Sequence, residues 1–311
     1  MKLFIRIGCV AALLYLQSCG GSAIKNKADQ DQTSSTGSKS KIPVPAATDN
    51  LVINNQNDLI GYWVGEFGPE VTPGDSTSDD MGNGDDTFNK INISIDSINS
   101  SKVKGHTVIA GKVRFFNCNM VKAGSKYQFM FKGGADEKAD GVYKFSIAEG
   151  DSLLKGNWDP GSDKIPSHSY SLTKKLFRYN PNWKIDAGQY VDWNKYKAIK
   201  VKEGDEDYNQ TRFATTSEDL AKLNPSTDIL TKEQVANLKK ADLLVLRNSI
   251  FARHGYTFKK PLLSLLFSQQ AWYVPISNDV TAELTDTEKK NIALMMPFEK
   301  NAQEYYNAYG R

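Results

Sequence analysis

What the chain lacks narrows its chemistry before any motif is weighed. Only three histidines occur in 311 residues, His106, His168 and His254, and none belongs to a His-Glu-x-x-His zinc pattern. There is no Gly-x-Ser-x-Gly elbow, no phosphate-binding Gly-x-x-x-x-Gly-Lys loop and no dinucleotide fingerprint. Each histidine stands isolated in sequence, so the chain reads as non-enzymatic, with no cofactor and no metal expected. An excess of one charge is lacking as well: 39 basic against 36 acidic residues give a net charge of +3. A chain this close to neutral has no global electrostatic reason to seek nucleic acid.

Cysteine is scarce, and its placement is informative. Lys2 and Arg6 head an apolar run from Ile7 to Leu16, the layout of an export signal. That run is about ten residues, whereas a membrane-spanning helix needs about 20. It ends in Leu16-Gln17-Ser18-Cys19, which resembles the lipobox of bacterial lipoproteins. The resemblance implies a signal peptide over 1–18, cleavage before Cys19 and lipid on that cysteine. Several acyl chains would hold the protein in a membrane far more firmly than one. Cleavage also removes Cys9, leaving Cys118 without a disulfide partner, and lowers the net charge to +1 as Lys2 and Arg6 depart. The expected address is the cell envelope, in the outer membrane with a periplasmic or surface face. Gly20-Gly21-Ser22 after the cysteine carries neither an aspartate nor an acidic run.

Residues 19–57 are poor in large apolar groups and rich in Ser, Thr, Lys, Gln, Asn and Asp, the composition of a disordered tether. Over 58–180 the hydrophobic period becomes two. Ile91, Ile93 and Ile95 alternate with Asn92, Ser94 and Asp96; Tyr127, Phe129 and Phe131 share a face, as do Tyr143, Phe145 and Ile147. Turn signals fall at Lys104-Gly105, Ala110-Gly111, Gly133-Gly134 and Asp140-Gly141. About eight short strands result, fitting an antiparallel barrel or sandwich. Residues 181–228 read as a connecting segment with one or two strands. From 229 to 311 the period is helical: Thr231 with Gln234 and Thr285 with Glu288 are capping-box pairs. Leu243, Leu246 and Ile250 run toward a stop at Gly255, Pro261 opens the next helix, and Pro297 should end or kink the last. The fold class is therefore α+β in two modules.

The run from Leu246 to Pro275, LRNSIFARHGYTFKKPLLSLLFSQQAWYVP, with Leu284-Thr285 and Glu288 to Ile292 downstream, resembles the YARHG domain. Phe251 occupies the tyrosine position, followed by Ala252, Arg253, His254 and Gly255. The resemblance spans about 231–294 and implies a small extracytoplasmic module found beside varied partners, peptidases among them. Read physically, Arg253-His254-Gly255 is first a helix end, a cation at the dipole's negative pole followed by a left-handed glycine. Arg247 is placed to pair with Asp242 or with loop carbonyls. The functional alternative sets Arg247, Asn248, Arg253 and His254, with Trp272 and Tyr273, on a face that grips a partner's carboxylate or glycan.

Gly61-x-Trp63 near the first strand is similar to the opening of lipocalin-like barrels, which implies a core or ligand cavity at Trp63, with Trp158 as its packing partner. Asp75, Asp79, Asp80, Asp85 and Asp86 form an acidic loop without the spacing of a calcium-binding hand, so a solvated hairpin is expected. Cys118, beside Phe115 and Phe116, reads as a small core residue. The leading expectation is a non-catalytic, lipid-anchored envelope protein that binds a protein or a cell-wall component. A lipocalin-like carrier or sensor of a small apolar ligand and a hydrolase are the alternatives.

Overall fold

A computed structural model describes residues 51–68, 89–133, 141–162, 164–185 and 190–307. The signal peptide, Cys19 and the acidic loop at 75–86 lie outside the described residues. Eight antiparallel strands close into a barrel: β1 (Gly61–Phe67), β2 (Asn89–Asn99), β3 (Lys102–Ile109), β4 (Lys112–Ala123), β5 (Lys126–Lys132), β6 (Val142–Ala148), β7 (Leu153–Asp159) and β8 (His168–Lys175). Closure comes from β1 pairing with β8, Tyr62 opposite Lys175 and Val64 opposite Thr173. Period-two alternation sends Tyr127, Phe129 and Phe131 inward from β5, and Tyr143, Phe145 and Ile147 inward from β6. The rings stack across strands: Phe116 on Phe131 at 3.7 Å, Phe129 on Phe145 at 4.6 Å, Phe131 on Tyr143 at 4.9 Å. Each such pair adds about 1 kcal/mol beyond its buried area.

Two expectations for the barrel need correction. Lys104-Gly105 is not a turn but the middle of β3. A Cβ on Gly105 would lie 2.4 Å from the Phe116 ring, so the glycine makes room for an aromatic core side chain. Residues 53–57, expected in the tether, belong with the barrel instead. Ile53 is fully buried in the barrel core, and its backbone bonds to Asp151 and Gly150 in the turn between β6 and β7. A 3-10 turn at Gln56–Leu59, capped reciprocally by Asn55 and Asp58, then closes this end. Trp63 donates its indole N–H to the Leu59 carbonyl at 2.9 Å and is fully buried.

A long ribbon follows, β9 (Val191–Glu203) with β10 (Glu206–Thr215), joined at its root by β11 (Tyr306–Asn307). Then come α1 (Lys232–Ala236), α2 (Lys240–Arg253), α3 (Pro261–Ser268) and α4 (Asp286–Asn301). Both capping boxes form as the sequence requires, Thr231 with Gln234 and Thr285 with Glu288. Gly255 has φ +78 and closes α2: its N–H bonds to the Ala252 carbonyl, and the Tyr256 N–H to that of Phe251. Pro297 does not end α4, which continues to Asn301. The Asn301 side chain donates to the Pro297 carbonyl, and Phe298 packs on the apolar cluster beneath. Tertiary packing here outweighs the lost backbone hydrogen bond. Among the described residues no helix is long and apolar enough to cross a membrane.

Barrel and helices are fastened along one seam. On β1, β2 and β3 the outward residues Val64, Asn92 and Val108 sit side by side in register, and all three are buried. Asn92 donates to the Pro275 carbonyl at 2.9 Å, and Lys90 Nζ donates to the carbonyls of Gln270 and Tyr273 at 2.8 and 3.2 Å. Ser264 donates to Asn89, and the Gly111 N–H to Thr257 Oγ1. The polar side of β2 therefore faces the second module here, not water, a reversal that strand alternation alone does not reveal.

Candidate functional site

The sequence-selected polar residues of the helical module fall into three settings. Arg247 does not pair with Asp242. Its guanidinium meets Glu299 on α4 through two bonds, 2.7 and 3.1 Å. Asp242 is occupied instead by the N–H and hydroxyl of Ser217 and by the Lys239 N–H. Asn248 is buried and donates to the Leu244 carbonyl one turn back.

Arg253 and His254 do not lie on an open gripping face either, since each is less than a tenth exposed. His254 Nε2 lies 2.8 Å from the Glu288 carboxylate, and its ring stacks on Tyr179 at 4.2 Å. Burial alone would raise the Glu288 carboxyl. The hydrogen bond to His254, the Thr285 N–H and the Ser226 hydroxyl overcome it and hold the group near a pKa of about 2. Tyr179, donating to the same carboxylate at 3.1 Å, is pushed up to about 12 by burial and by that negative charge.

Arg253 reaches the other way. Nε and Nη2 donate to the Trp183 carbonyl at 2.9 and 2.7 Å, and Nη1 to Ser249 and Ser226. Burial lowers its pKa to about 10, which leaves it charged at neutral pH. Trp272 acts on the same stretch: it stacks on Trp183 at 5.3 Å and donates its indole N–H to the Lys184 carbonyl at 2.7 Å. Two side chains of the motif thus pin residues 183–185 from two directions. Tyr273 is buried, its hydroxyl spent on the Tyr256 carbonyl and its own carbonyl on Lys90.

The pinned stretch forms one wall of a cleft of about 420 Å³. Opposite stands the 3-10 segment Glu218–Lys222, and α2 contributes Leu246, Ser249 and Arg253. Apolar side chains (Ile185, Leu220, Leu223) and polar ones (Lys184, Ser217, Asn224) line it together. Such a recess suits a ligand with an apolar body and a few polar contacts. Sequence reasoning found Arg253 but not the cleft, because Trp183 and Lys184 are tens of residues away in a segment without a clear period.

In the barrel, Trp63 and Trp158 do not share a cavity. Trp158 packs with Phe67, Tyr143 and His168, by the far end of β1 from Trp63. The stacked rings between them occupy the middle of the barrel. Cys118 is half-buried against that core, and burial pushes its thiol up to about 11. His106 is not isolated in space. Asp96 accepts from Ser94 at 2.7 Å and sits 2.8 Å from His106 Nδ1. The aspartate stands in the middle of this set, so the imidazole is not placed between hydroxyl and carboxylate as a base would need to be.

No curated protein and no solved structure matches the chain. Residues 219–300 match the family model of the YARHG domain, a span that opens before residue 229 and takes in the 3-10 wall of the cleft. The chain is therefore an eight-stranded antiparallel barrel followed by a small helical region that matches the YARHG domain.

Proposed function

We propose that the protein is a non-catalytic, lipid-anchored envelope protein whose YARHG domain binds a protein or cell-wall component through the cleft beside Arg253. The carrying observation is the use of Arg253 and Trp272. Both are spent on holding residues 183–185 in place, and the result is a shaped recess rather than a reactive centre. His254 fits the same reading, because burial and its bond to Glu288 leave it closed to a substrate. The barrel then serves as a filled scaffold, fixed to the domain by the seam at Lys90 and Asn92.

The lipid anchor rests on Leu16 to Cys19 and makes its own prediction. Cys19→Ser should move the chain from the membrane fraction to the soluble fraction and abolish incorporation of an alkyne-tagged fatty acid. A variant that stays lipid-labelled would refute the assignment. For the cleft, a photo-crosslinker at Leu223 in intact envelopes should give a discrete adduct that disappears with Leu220→Asp. The same probe at Met130, on the exposed outer face of β5, should not give that adduct. Equal adducts from both positions would contradict the cleft reading.

A further inference from the structure

Beyond its root, the ribbon of β9 and β10 stands open on both faces: no residue from 197 to 212 is buried. A two-stranded ribbon by itself is marginally stable in water and gains when one face is covered. Over this stretch the register is unbroken, so Lys197, Ile199, Val201 and Glu203 share one face with their cross-strand partners Arg212, Gln210, Tyr208 and Glu206. Ile199, Val201 and Tyr208 form an apolar stripe in the middle of that face, with Tyr208 42% exposed.

The two ends of this face carry opposite charge. Toward the root Lys197 stands directly opposite Arg212, and toward the tip Glu203 stands directly opposite Glu206. Like charges facing each other across a strand pair destabilise it. None of the four forms an ion pair among the described residues; Arg212 spends its Nε donor on Gln210 of the same face. The two self-repelling pairs are also placed symmetrically. Lys197 and Glu203 each lie three residues from Lys200, Glu206 and Arg212 each lie three from Asn209, and Lys200 pairs with Asn209. The opposite face has no such symmetry: Lys202 opposes Asp207 there, and the positions that answer them are Ala198 and Thr211.

We infer that this face joins two copies of the chain, packed ribbon on ribbon about a two-fold axis that runs across the strands at the Lys200–Asn209 pair. That rotation turns the second ribbon end for end. It sets Glu203 and Glu206 of each copy over Lys197 and Arg212 of the other, four ion pairs in all. Between them Ile199 meets Val201 and Tyr208 meets Gln210, so the apolar stripe is covered. A partner of one charge would satisfy one end of the face and repel the other, and a ribbon stacked in the parallel sense would set like on like. Only a partner with the same charges reversed end for end answers both, and a second copy supplies it. From Lys197 to Glu203 the face is about 20 Å long at ~3.3 Å per residue. That is a small interface, so the dimer is weak, with a Kd on the order of 10 µM. The inference stands independently of the cleft beside Arg253 and of the lipid anchor.

Sedimentation equilibrium of the full chain in density-matched detergent, from about 1 to 200 µM, is the test. The parent chain should pass from monomer to dimer over that range. Lys197→Glu with Arg212→Glu makes both ends of the face acidic, and Glu203→Lys with Glu206→Lys makes both basic. Each double variant alone should associate at least about a hundredfold more weakly than the parent, because four attractions become four repulsions. Mixed in equal amounts, the two variants should form a heterodimer at least as tight as the parent dimer. Mixing would not repair a damaged fold or a contact made elsewhere on the chain. A parent chain that stays monomeric at about 200 µM would mean that this face is bare or serves another protein, and overturns the inference. Either variant dimerising as the parent does, or a mixture that stays monomeric, overturns it as well.

Discussion

In the barrel the inward side chains of β5 and β6 are aromatic or aliphatic along their whole length, whereas the helical module divides its apolar residues into two clusters and buries Arg253, His254, Asp242 and Glu288 with them. The barrel core gains from removing apolar area from water and from ring contacts, terms that do not depend on proton concentration. The helical core depends on matched donors and acceptors, and a buried charge is tolerable only while each partner is in place. The first kind of core suits a scaffold. The second fixes particular stretches of chain, and here it fixes the wall of the cleft.

The comparison is broken most severely at Arg253. Arg253→Met leaves the Trp183 carbonyl and two serine hydroxyls without their donor, and should cost the helical module about 3–5 kcal/mol. Denaturant melting followed by helical circular dichroism should shift by that amount, while hydrogen exchange of the barrel strands, followed over the same denaturant range, shifts much less. Equal shifts in both signals would mean that the two regions do not differ as described.

Acid should separate the regions next. Glu288 is held near a pKa of about 2, below its ordinary 4.5, so it adds stability above the ordinary carboxylate range and loses it as pH falls toward 2. Helical signal should therefore fade over that window before barrel signal does. Glu288→Gln should cost about 2 kcal/mol at neutral pH and flatten the acid dependence. Phe131→Ala offers the contrast: a loss of about 3 kcal/mol in the barrel that is the same at pH 7 and pH 4. A Phe131→Ala penalty that grows in acid would contradict the account.

The smallest effect belongs to the seam. Burial, with Lys175 nearby, lowers Lys90 to about 8 from 10.5, and Glu66 only partly opposes this. Its ammonium is less favoured in the folded chain than in the unfolded one, so stability from this group should rise as pH climbs from about 8 to 10.5. Lys90→Met should remove that rise and change stability at neutral pH by about 1 kcal/mol. Alkaline melting curves of the two chains check it, and parallel curves would show that Lys90 does not carry the effect.

The legibility of the two regions in the sequence follows the same division. Period-two alternation marks β5 and β6 because an inward ring and an outward polar group declare themselves locally. Thr231, Thr285 and Gly255 declare helix ends for the same reason, since their partners lie three to five residues away. What was hidden depends on distant chain. Asn92 reads as a solvent-facing residue until Pro275 covers it, Ile53 reads as tether until the turn at Gly150 and Asp151 receives it, and Arg247 finds Glu299 rather than its near neighbour Asp242. The cleft was illegible because one wall comes from residues 183–185, held by a carbonyl that any residue could supply.

Residue-resolved hydrogen exchange at pH 7 and again near pH 3, corrected for intrinsic rates, tests the central claim most directly. The account predicts that amides of α2 and α4 lose protection in acid while those of β4, β5 and β6 keep theirs. Uniform loss across both regions, or protection kept throughout α2 and α4, would contradict it.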